Sequence, residues 1–82
     1  ENGMILDTYG WILFKQKKSA EAREVLEKSA SLLPDHPIVL YHLGAVHAAL
    51  GNEDLARDHL EKALRISPDF PGAEEARRLL ES

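Results

Sequence analysis

The sequence predicts an all-α fold of five helices, arranged as two helix-turn-helix units followed by a closing helix. Three observations predict it. The chain resembles itself when it is shifted so that Leu6 falls on Leu40, its apolar side chains recur at steps of three and four, and Gly or Pro ends three of the four apolar stripes of the two units. With 82 residues the chain is expected to form one domain over 1–82, with units at 3–36 and 37–70 and a closing helix at 71–82.

The evidence for an internal repeat is a set of identical residue pairs, all found at the shift that places Leu6 on Leu40. Ten pairs are identical, more than chance would give. These pairs are Leu6/Leu40, Gly10/Gly44, Ala22/Ala56, Arg23/Arg57, Leu26-Glu27-Lys28/Leu60-Glu61-Lys62, Pro34-Asp35/Pro68-Asp69 and Pro37/Pro71. Because the pairs are spread over the whole unit, they predict two copies of one supersecondary structure.

The first unit is predicted to contain helices at 3–16 and 20–33. Lys17-Lys18 forms the turn between them, and Ser19 is expected to cap the second helix with its side chain. Lys17 stands where the second unit has Gly51, so we expect a strained or differently closed turn costing about 1 kcal/mol. Pro34 ends the unit, and Pro37 suits the first position of the next helix, where an N–H is not needed.

The second unit repeats this pattern. The apolar stripe of its first helix consists of Leu40, Leu43, Val46, His47 and Leu50. Gly51 ends that helix, since Gly adopts the left-handed conformation at low cost, and Asn52 is expected to cap the next helix through its side chain. The stripe of the second helix consists of Leu55, Ala56, His59, Leu60, Ala63, Leu64 and Ile66.

Small residues mark the predicted contact between the two helices of each unit. Gly10 and Ala22 in the first unit correspond to Gly44 and Ala56 in the second. A larger side chain at these positions would push the helices apart. Leu26 and Leu60 are expected to fill the layer beside the small residues.

The spacing of these residues resembles the tetratricopeptide repeat signature. In the first unit the matching residues are Leu6-x2-Tyr9-Gly10-x2-Leu13, Ala22-x3-Leu26 and Pro34, and in the second Leu40-x2-Leu43-Gly44-x2-His47, Ala56-x3-Leu60 and Pro68. The closing segment, with a polar face of Glu74, Arg77 and Arg78, is similar to the terminal helix of such arrays. The chain departs from the signature where Leu6 and Leu40 replace its first aromatic residue and His47 replaces a later one.

A narrower resemblance concerns the first helices of the two units. The segments 6–13 and 41–44 are similar to the last repeats of large bacterial lipoproteins associated with exosortase-type protein sorting and exopolysaccharide export. This resemblance implies a location in the bacterial cell envelope or periplasm. Without it, the expected location is the cytoplasm. Because the chain starts at Glu1 rather than Met, we expect it to be a segment of a longer protein. The apolar start at Ile5 and Ile12, beside a polar closing helix, predicts the C-terminal end of a longer solenoid.

The family resemblance implies a superhelix whose concave face is lined by the first helix of each unit, and a role in protein–protein interaction. Ten residues are expected to face this groove and contact a protein or peptide partner: Met4, Asp7, Trp11, Phe14, Lys15, Ile38, Tyr41, His42, Ala45 and Ala48. Trp11, Phe14 and Tyr41 would form an aromatic lining of the kind that anchors partners. Alternatively, Trp11 and Phe14 pack against a neighbouring repeat or the closing helix.

Other functions receive little support. The net charge is −4, with ten Lys and Arg against fourteen Asp and Glu, which argues against nucleic-acid binding. The longest apolar run is too short to span a membrane. The chain has no cysteine, and His42 and His47 lie about 140° apart around a helix, so neither a metal nor another cofactor is expected. Phosphate-loop and nucleophile-elbow motifs are absent from the sequence, so we do not expect an enzyme.

Two alternatives to a binding groove remain. The two units could be a structural spacer that extends a solenoid without contacting a partner. The chain could also self-associate, because Ile5, Tyr9 and Ile12 have no preceding helix to cover them and could form a homodimer through this end.

Overall fold

The computed structural model describes residues 2–81, and within that range every regular element is an α-helix. The helices are α1 (Gly3–Lys15), α2 (Ser19–Leu32), α3 (Pro37–Ala49), α4 (Glu53–Ile66) and α5 (Ala73–Glu81). The predicted all-α fold with five helices is therefore confirmed. Glu1 and Ser82, the ends of the predicted domain, lie outside the described residues.

The helices pack as two hairpins and a closing helix, with α3 at the centre. The pairs α1–α2 and α3–α4 make the most extensive contacts, and α3 also touches α1, α2 and α5. One core cluster joins the two hairpins and contains Leu13, Ala22, Leu26, Leu43 and Val46. The other joins the second hairpin to α5 and contains Leu40, Leu60, Ala63, Phe70, Ala73 and Ala76. Because α3 contributes to both, it fixes the relative positions of the other helices.

Close approach within each hairpin depends on a glycine facing a leucine. A Cβ atom added to Gly10 would lie 2.6 Å from Cγ of Leu26, and one added to Gly44 would lie 2.8 Å from Cγ of Leu60. Leu26 and Leu60 are both fully buried. The predicted packing of small residues against these leucines is therefore confirmed.

The turns inside the two hairpins close in the same way despite different residues. Lys17 and Gly51 occupy the same repeat position and both have positive φ, at 68° and 84°. In the first turn the N–H of Lys17 bonds to the carbonyl of Phe14, and that of Lys18 to the carbonyl of Leu13. The second turn has the equivalent pair of bonds from Gly51 and Asn52. This is the Schellman arrangement, and Lys17 bears the strain expected of a non-glycine residue in it.

The predicted side-chain caps of α2 and α4 were wrong. Ser19 is the first residue of α2, and Lys18 occupies the capping position instead. Asn52 does precede α4, but its amide nitrogen lies 3.1 Å from Nδ1 of His47, because the buried imidazole requires a polar partner. The cap that sequence reasoning missed is Asn2, whose Oδ1 accepts from the first free N–H groups of α1.

Three residues of the predicted apolar stripes are exposed rather than buried: Leu50, Leu55 and Ile66. They are the end members of their stripes: Leu50 follows α3 as its C-cap, and Leu55 and Ile66 lie in the first and last turns of α4. The remainder of each stripe is buried or half-buried, including His47 at 2% exposure. Within residues 2–81, none of the helices is both long and apolar enough to cross a membrane.

Candidate functional site

A cavity of about 770 Å³ is bounded by α1, α3, α4 and α5. We call it the groove cavity. The residues that line it are Trp11, Phe14, Lys15, Tyr41, Ala45, Ala48, Ala49, Glu53, Ala56, Arg57, Leu60, Glu75, Leu79 and Leu80. Six of these were expected from the sequence, namely Trp11, Phe14, Lys15, Tyr41, Ala45 and Ala48.

Differences in side-chain size between the two repeats explain the cavity. Ala45 occupies the position in the second unit that Trp11 occupies in the first, and Ala48 likewise corresponds to Phe14. The first unit therefore places large aromatic rings where the second has only methyl groups. Both members of each pair line the cavity, so rings from α1 form a wall and alanines of α3 form the floor. The closing helix α5 supplies further lining residues, and the space between these elements remains open.

The aromatic side chains of the groove are in mutual contact. The ring centroids of Trp11 and Phe14 lie 5.2 Å apart, and those of Trp11 and Tyr41 lie 5.7 Å apart. The imidazole of His42 is stacked on the indole of Trp11, with centroids 3.9 Å apart and planes inclined by 17°. Nζ of Lys15 lies 4.9 Å from the centre of the Trp11 ring, which is cation–π distance. Trp11 is thus the centre of the aromatic wall.

Tyr41 connects the aromatic wall to the closing helix. Its ring lies 5.8 Å from Phe70 and is so close to Gly72 that a Cβ atom there would stand 2.8 Å from Tyr41 Cε2. Gly72 also has a φ of 105°, so both space and backbone conformation favour glycine at this position. Burial raises the pKa of the Tyr41 hydroxyl, and the nearby Glu75 carboxylate raises it further. The phenol is therefore neutral at physiological pH.

Four of the ten expected residues do not line the cavity, namely Met4, Asp7, Ile38 and His42. Asp7 is buried at 3% exposure, and its Oδ1 lies 2.8 Å from Nδ1 of His42. It was expected to face a partner, but its carboxylate is used to pair with His42 inside the protein. Ile38 packs against the core that joins α3 to α5, and Met4 is exposed outside the cavity.

Sequence reasoning missed the contributions of α4 and α5. Glu53, Ala56, Arg57 and Leu60 of α4 reach the cavity because the alanines of α3 in front of them are short. For α5 the repeat register contained a usable signal, because Glu75 stands one full repeat after Tyr41 and Leu79 one full repeat after Ala45. Extending the period by one more helix would have predicted both.

A second cavity of about 600 Å³ lies elsewhere on the surface, between α2 and α4, and it contains a histidine pair. The rings of His47 and His59 are stacked with centroids 5.6 Å apart. The Asn52 amide donates to Nδ1 of His47, which leaves Nε2 to carry the proton, 3.7 Å from Oε2 of Glu27. Burial lowers the pKa of both histidines. Across residues 2–81, no three His, Asp or Glu side chains converge as metal ligands.

One face of α1 is apolar and exposed, in contrast to its counterpart on α3. Ile5, Tyr9 and Ile12 are 66%, 51% and 50% exposed. The residues one repeat later are Val39, Leu43 and Val46, which are at most 2% exposed because the first hairpin covers them. The same face is therefore buried in the second unit and open in the first.

Comparison with known proteins agrees with this architecture. The model of the tetratricopeptide repeat family matches residues 13–82, from the end of α1 through the second hairpin and the closing helix. The chain is also similar to the type IV pilus assembly protein PilF of Pseudomonas aeruginosa, with 33% identity over 72 residues. That alignment covers 85% of this chain but only 29% of the length of the relative.

Proposed function

This chain belongs to the tetratricopeptide repeat family, and from that premise we propose that it binds a peptide segment of a protein partner in its groove cavity. Repeats of this family generally mediate protein–protein interactions, and proteins built from them are generally scaffolds rather than enzymes. The observation that carries the proposal is the open space between the aromatic wall and the alanine floor. A preformed apolar concavity with a few charged groups at its margin is the usual form of a binding site.

The chemistry of the lining favours a peptide with an apolar anchor. Trp11, Phe14 and Leu79 offer apolar and aromatic surface, and such surface contributes most of the energy of protein interfaces. Lys15 and Arg57 balance Glu53 and Glu75 in formal charge, so the lining has no excess of either sign. We therefore propose recognition through shape and apolar contact rather than through charge, and a non-enzymatic role for the domain.

The role of the whole protein is a wider proposal. We propose that 3–36, 37–70 and 71–82 act together as one interaction domain of a larger repeat protein. The name of the Pseudomonas relative assigns it to the assembly of type IV pili, and we propose a role in pilus assembly as a candidate here too. The resemblance to exosortase-associated lipoproteins, and the bacterial envelope location that it implies, stay predictions.

The groove is tested by filling it without disturbing the core. Peptides are selected from a phage-displayed library on the wild-type domain, and their affinity is measured by isothermal titration calorimetry. Ala48→Arg puts a long side chain into the cavity from its floor, and Ala20→Arg is the matched control on the exposed side of α2. We expect Ala48→Arg to abolish binding and Ala20→Arg to leave it unchanged.

Two outcomes would contradict the groove proposal. If the selected peptides bind Ala48→Arg as well as wild type, the partner surface lies elsewhere. If no peptide is selected from libraries that yield ligands for other repeat domains, the spacer alternative is favoured. In both cases circular dichroism of each variant verifies that the helices are intact.

A second candidate function is self-association through the open face of α1. The contrast between Ile5 and Ile12, exposed on α1, and their buried counterparts on α3 favours it. We propose that a second copy covers this face at high concentration. Sedimentation velocity over a dilution series should show a dimer that Ile12→Glu dissociates and Leu55→Glu, which removes a similarly exposed apolar side chain from α4, does not. A monomer at every concentration would exclude it.

A further inference from the structure

The pair formed by Asp7 and His42 links the two repeats at the base of the aromatic wall. Asp7 lies on α1 and His42 on α3, 35 positions apart in the chain. Their side chains are only 4% and 12% exposed, and the Oδ1–Nδ1 distance is 2.8 Å. Because an ionised carboxylate can only accept, the imidazole Nδ1–H donates. This short bond in a shielded position fixes the plane of the imidazole ring.

The fixed imidazole in turn supports Trp11. The two rings are almost parallel at 3.9 Å, which is stacking distance. Trp11 also stands one helical turn after Asp7 on α1, so both lie on the same face of that helix. Helix α1, the hydrogen bond and the ring stack together form a closed loop of contacts. The indole cannot change its rotamer without losing the stack with His42.

A fixed anchor changes the energetics of binding. A side chain that is free in solution loses rotamer freedom when a partner covers it, and this loss weakens the complex. A side chain already held in the bound orientation avoids that loss. Tyr41, on the same wall, is held in a different way, by packing against Phe70 and Gly72. Trp11 is instead held by a polar pair, formed by Asp7 of its own helix and His42 of the other repeat.

We propose that Asp7 and His42 are positioning residues that hold Trp11 in one orientation as the preformed anchor of the groove. Neither residue lines the cavity, so both act through the indole. The inference rests on the proposed groove function for its consequence in binding. The geometry that it describes can be tested without a partner.

The alternative is a purely structural role, in which the pair ties α1 to α3 and the orientation of the indole is set by Phe14 and Lys15. Both hypotheses predict that loss of the pair reduces stability. They differ in what happens to Trp11 when the hydrogen bond is kept and the ring is removed. They also differ in whether the orientation of Trp11 depends on an acceptor at position 7, which a neutral amide can supply.

The experiment uses the only tryptophan of the chain as its own reporter. The near-UV circular dichroism of Trp11 measures how rigidly the indole is held, and acrylamide quenching measures how freely it can be reached. His42→Asn places an amide nitrogen at the position of Nδ1, so it keeps a donor for Asp7 but removes the stacked ring. Asp7→Asn keeps an acceptor for His42, whereas Asp7→Ala does not.

We expect His42→Asn and Asp7→Ala to lose the near-UV signal of Trp11 and to increase its quenching, and Asp7→Asn to retain the wild-type values. Far-UV circular dichroism verifies that helix content is unchanged. If Trp11 behaves as in wild type in either His42→Asn or Asp7→Ala, the proposal is overturned. Should either variant fail to fold, NMR of the wild type decides: stacking predicts upfield-shifted His42 ring protons, and ordinary shifts contradict it.

Binding of the phage-selected peptide separates this inference from the groove proposal. Asp7→Ala should bind it with a roughly two- to tenfold weaker affinity, the cost of ordering one free side chain, and Asp7→Asn should bind it as wild type does. If Ala48→Arg abolishes binding while Asp7→Ala leaves affinity unchanged, the groove stands and the positioning role fails. If Trp11 responds as expected but Ala48→Arg binds normally, the groove function fails and the geometry stands.

Discussion

Gly44 of α3 lies directly against Leu60 of α4, close enough that a methyl group on Gly44 would stand 2.8 Å from Leu60 Cγ. It would also lie 3.3 Å from the backbone oxygen of Ala56. The second contact matters because a backbone atom cannot rotate away as a side chain can. The first hairpin has the same arrangement between Gly10 and Leu26, where the distance would be 2.6 Å. Each hairpin therefore brings its two helices together at a glycine.

The first prediction is that Gly44→Ala destabilises the domain. Alanine favours a helix over glycine, but here its methyl group overpacks the contact with Leu60 and Ala56. We expect a net loss of about 1–3 kcal/mol in the free energy of unfolding, measured by urea denaturation.

A double-mutant cycle provides the control for this prediction. Leu60→Ala alone should cost about 2–5 kcal/mol, because it leaves a cavity in the core. Combined with Gly44→Ala, it removes the atoms that the new methyl group would strike, so the double variant should be more stable than the sum of the single effects predicts. Simple additivity would contradict the close-contact explanation.

The second prediction concerns the turn between α1 and α2. Lys17 has a φ of 68°, and the equivalent residue of the other hairpin is Gly51. Lys17→Gly should stabilise the domain by about 0.5–1 kcal/mol, because glycine adopts this conformation without the Cβ strain. Lys18→Gly is the neighbouring control, since Lys18 has a φ of −102° and gains nothing from glycine. A loss of stability in Lys17→Gly would argue against strain at this turn.

The fold was predictable from the sequence because its determinants recur in register. Close approach of the two helices is marked by Gly10 in the first unit and by Gly44 in the second, and the end of each unit is marked by Pro34 and Pro68. Because each feature occurs twice, one copy supports the interpretation of the other. The strained turn at Lys17 could be predicted for the same reason, by comparison with Gly51. The helix caps could not be predicted. The side chain of Asn52 can bond either to the backbone of α4 or to the buried His47, and tertiary contacts determine which bond forms.

The candidate site was predictable only in part. The cavity includes Trp11 and Ala45, which the family pattern assigns to the groove side of each first helix. Asp7 was misplaced because its burial depends on His42, which belongs to another helix and another repeat. Arg57 was missed because it reaches the cavity only where the side chains of α3 are small. The apolar pattern of α3 shows which residues lie on its groove face, but it does not show which residues of α4 lie behind them.

The third prediction concerns a buried hydrogen bond at the start of α1. Oγ of Ser29 donates to the carbonyl of Gly3 at 2.7 Å, and Ser29 is fully buried. Ser29→Ala should cost about 1–2 kcal/mol in the free energy of unfolding, because it removes this bond from a buried site. The substitution fits sterically, since the equivalent residue of the second unit is the buried Ala63.

Ser31→Ala is the matched control for Ser29→Ala. Ser31 also donates to a backbone carbonyl, that of Lys28, but it is exposed and water can replace the bond. We expect a change within about 0.5 kcal/mol for Ser31→Ala by the same urea titration. Equal effects of the two substitutions would show that the contact between Ser29 and Gly3 contributes little.

The fourth prediction is a loss of stability in mild acid, caused by the stacked pair His47 and His59. Burial lowers the pKa of both imidazoles below the ordinary value of 6.5. Charged groups from α2 and α4 surround the pair and partly offset one another: Glu27 and Asp58 raise these pKa values, whereas Arg23 and Lys62 lower them. Protonation of one ring also disfavours protonation of the other, because the rings are in contact.

The sign of the pH effect follows from proton binding. With a lowered folded-state pKa, each histidine binds fewer protons in the folded protein than in the unfolded chain, so acid favours unfolding. The contribution of the two histidines to the free energy of unfolding is complete above about pH 6.5. It decreases as the pH falls from there towards their folded-state pKa values. Thermal unfolding between about pH 7.5 and 5.5 should therefore show a falling Tm, and His59→Phe, which keeps a stacked ring but cannot titrate, should flatten that dependence. An unchanged slope in His59→Phe, or an NMR titration in which both histidines have pKa values above 6.5, would contradict this explanation.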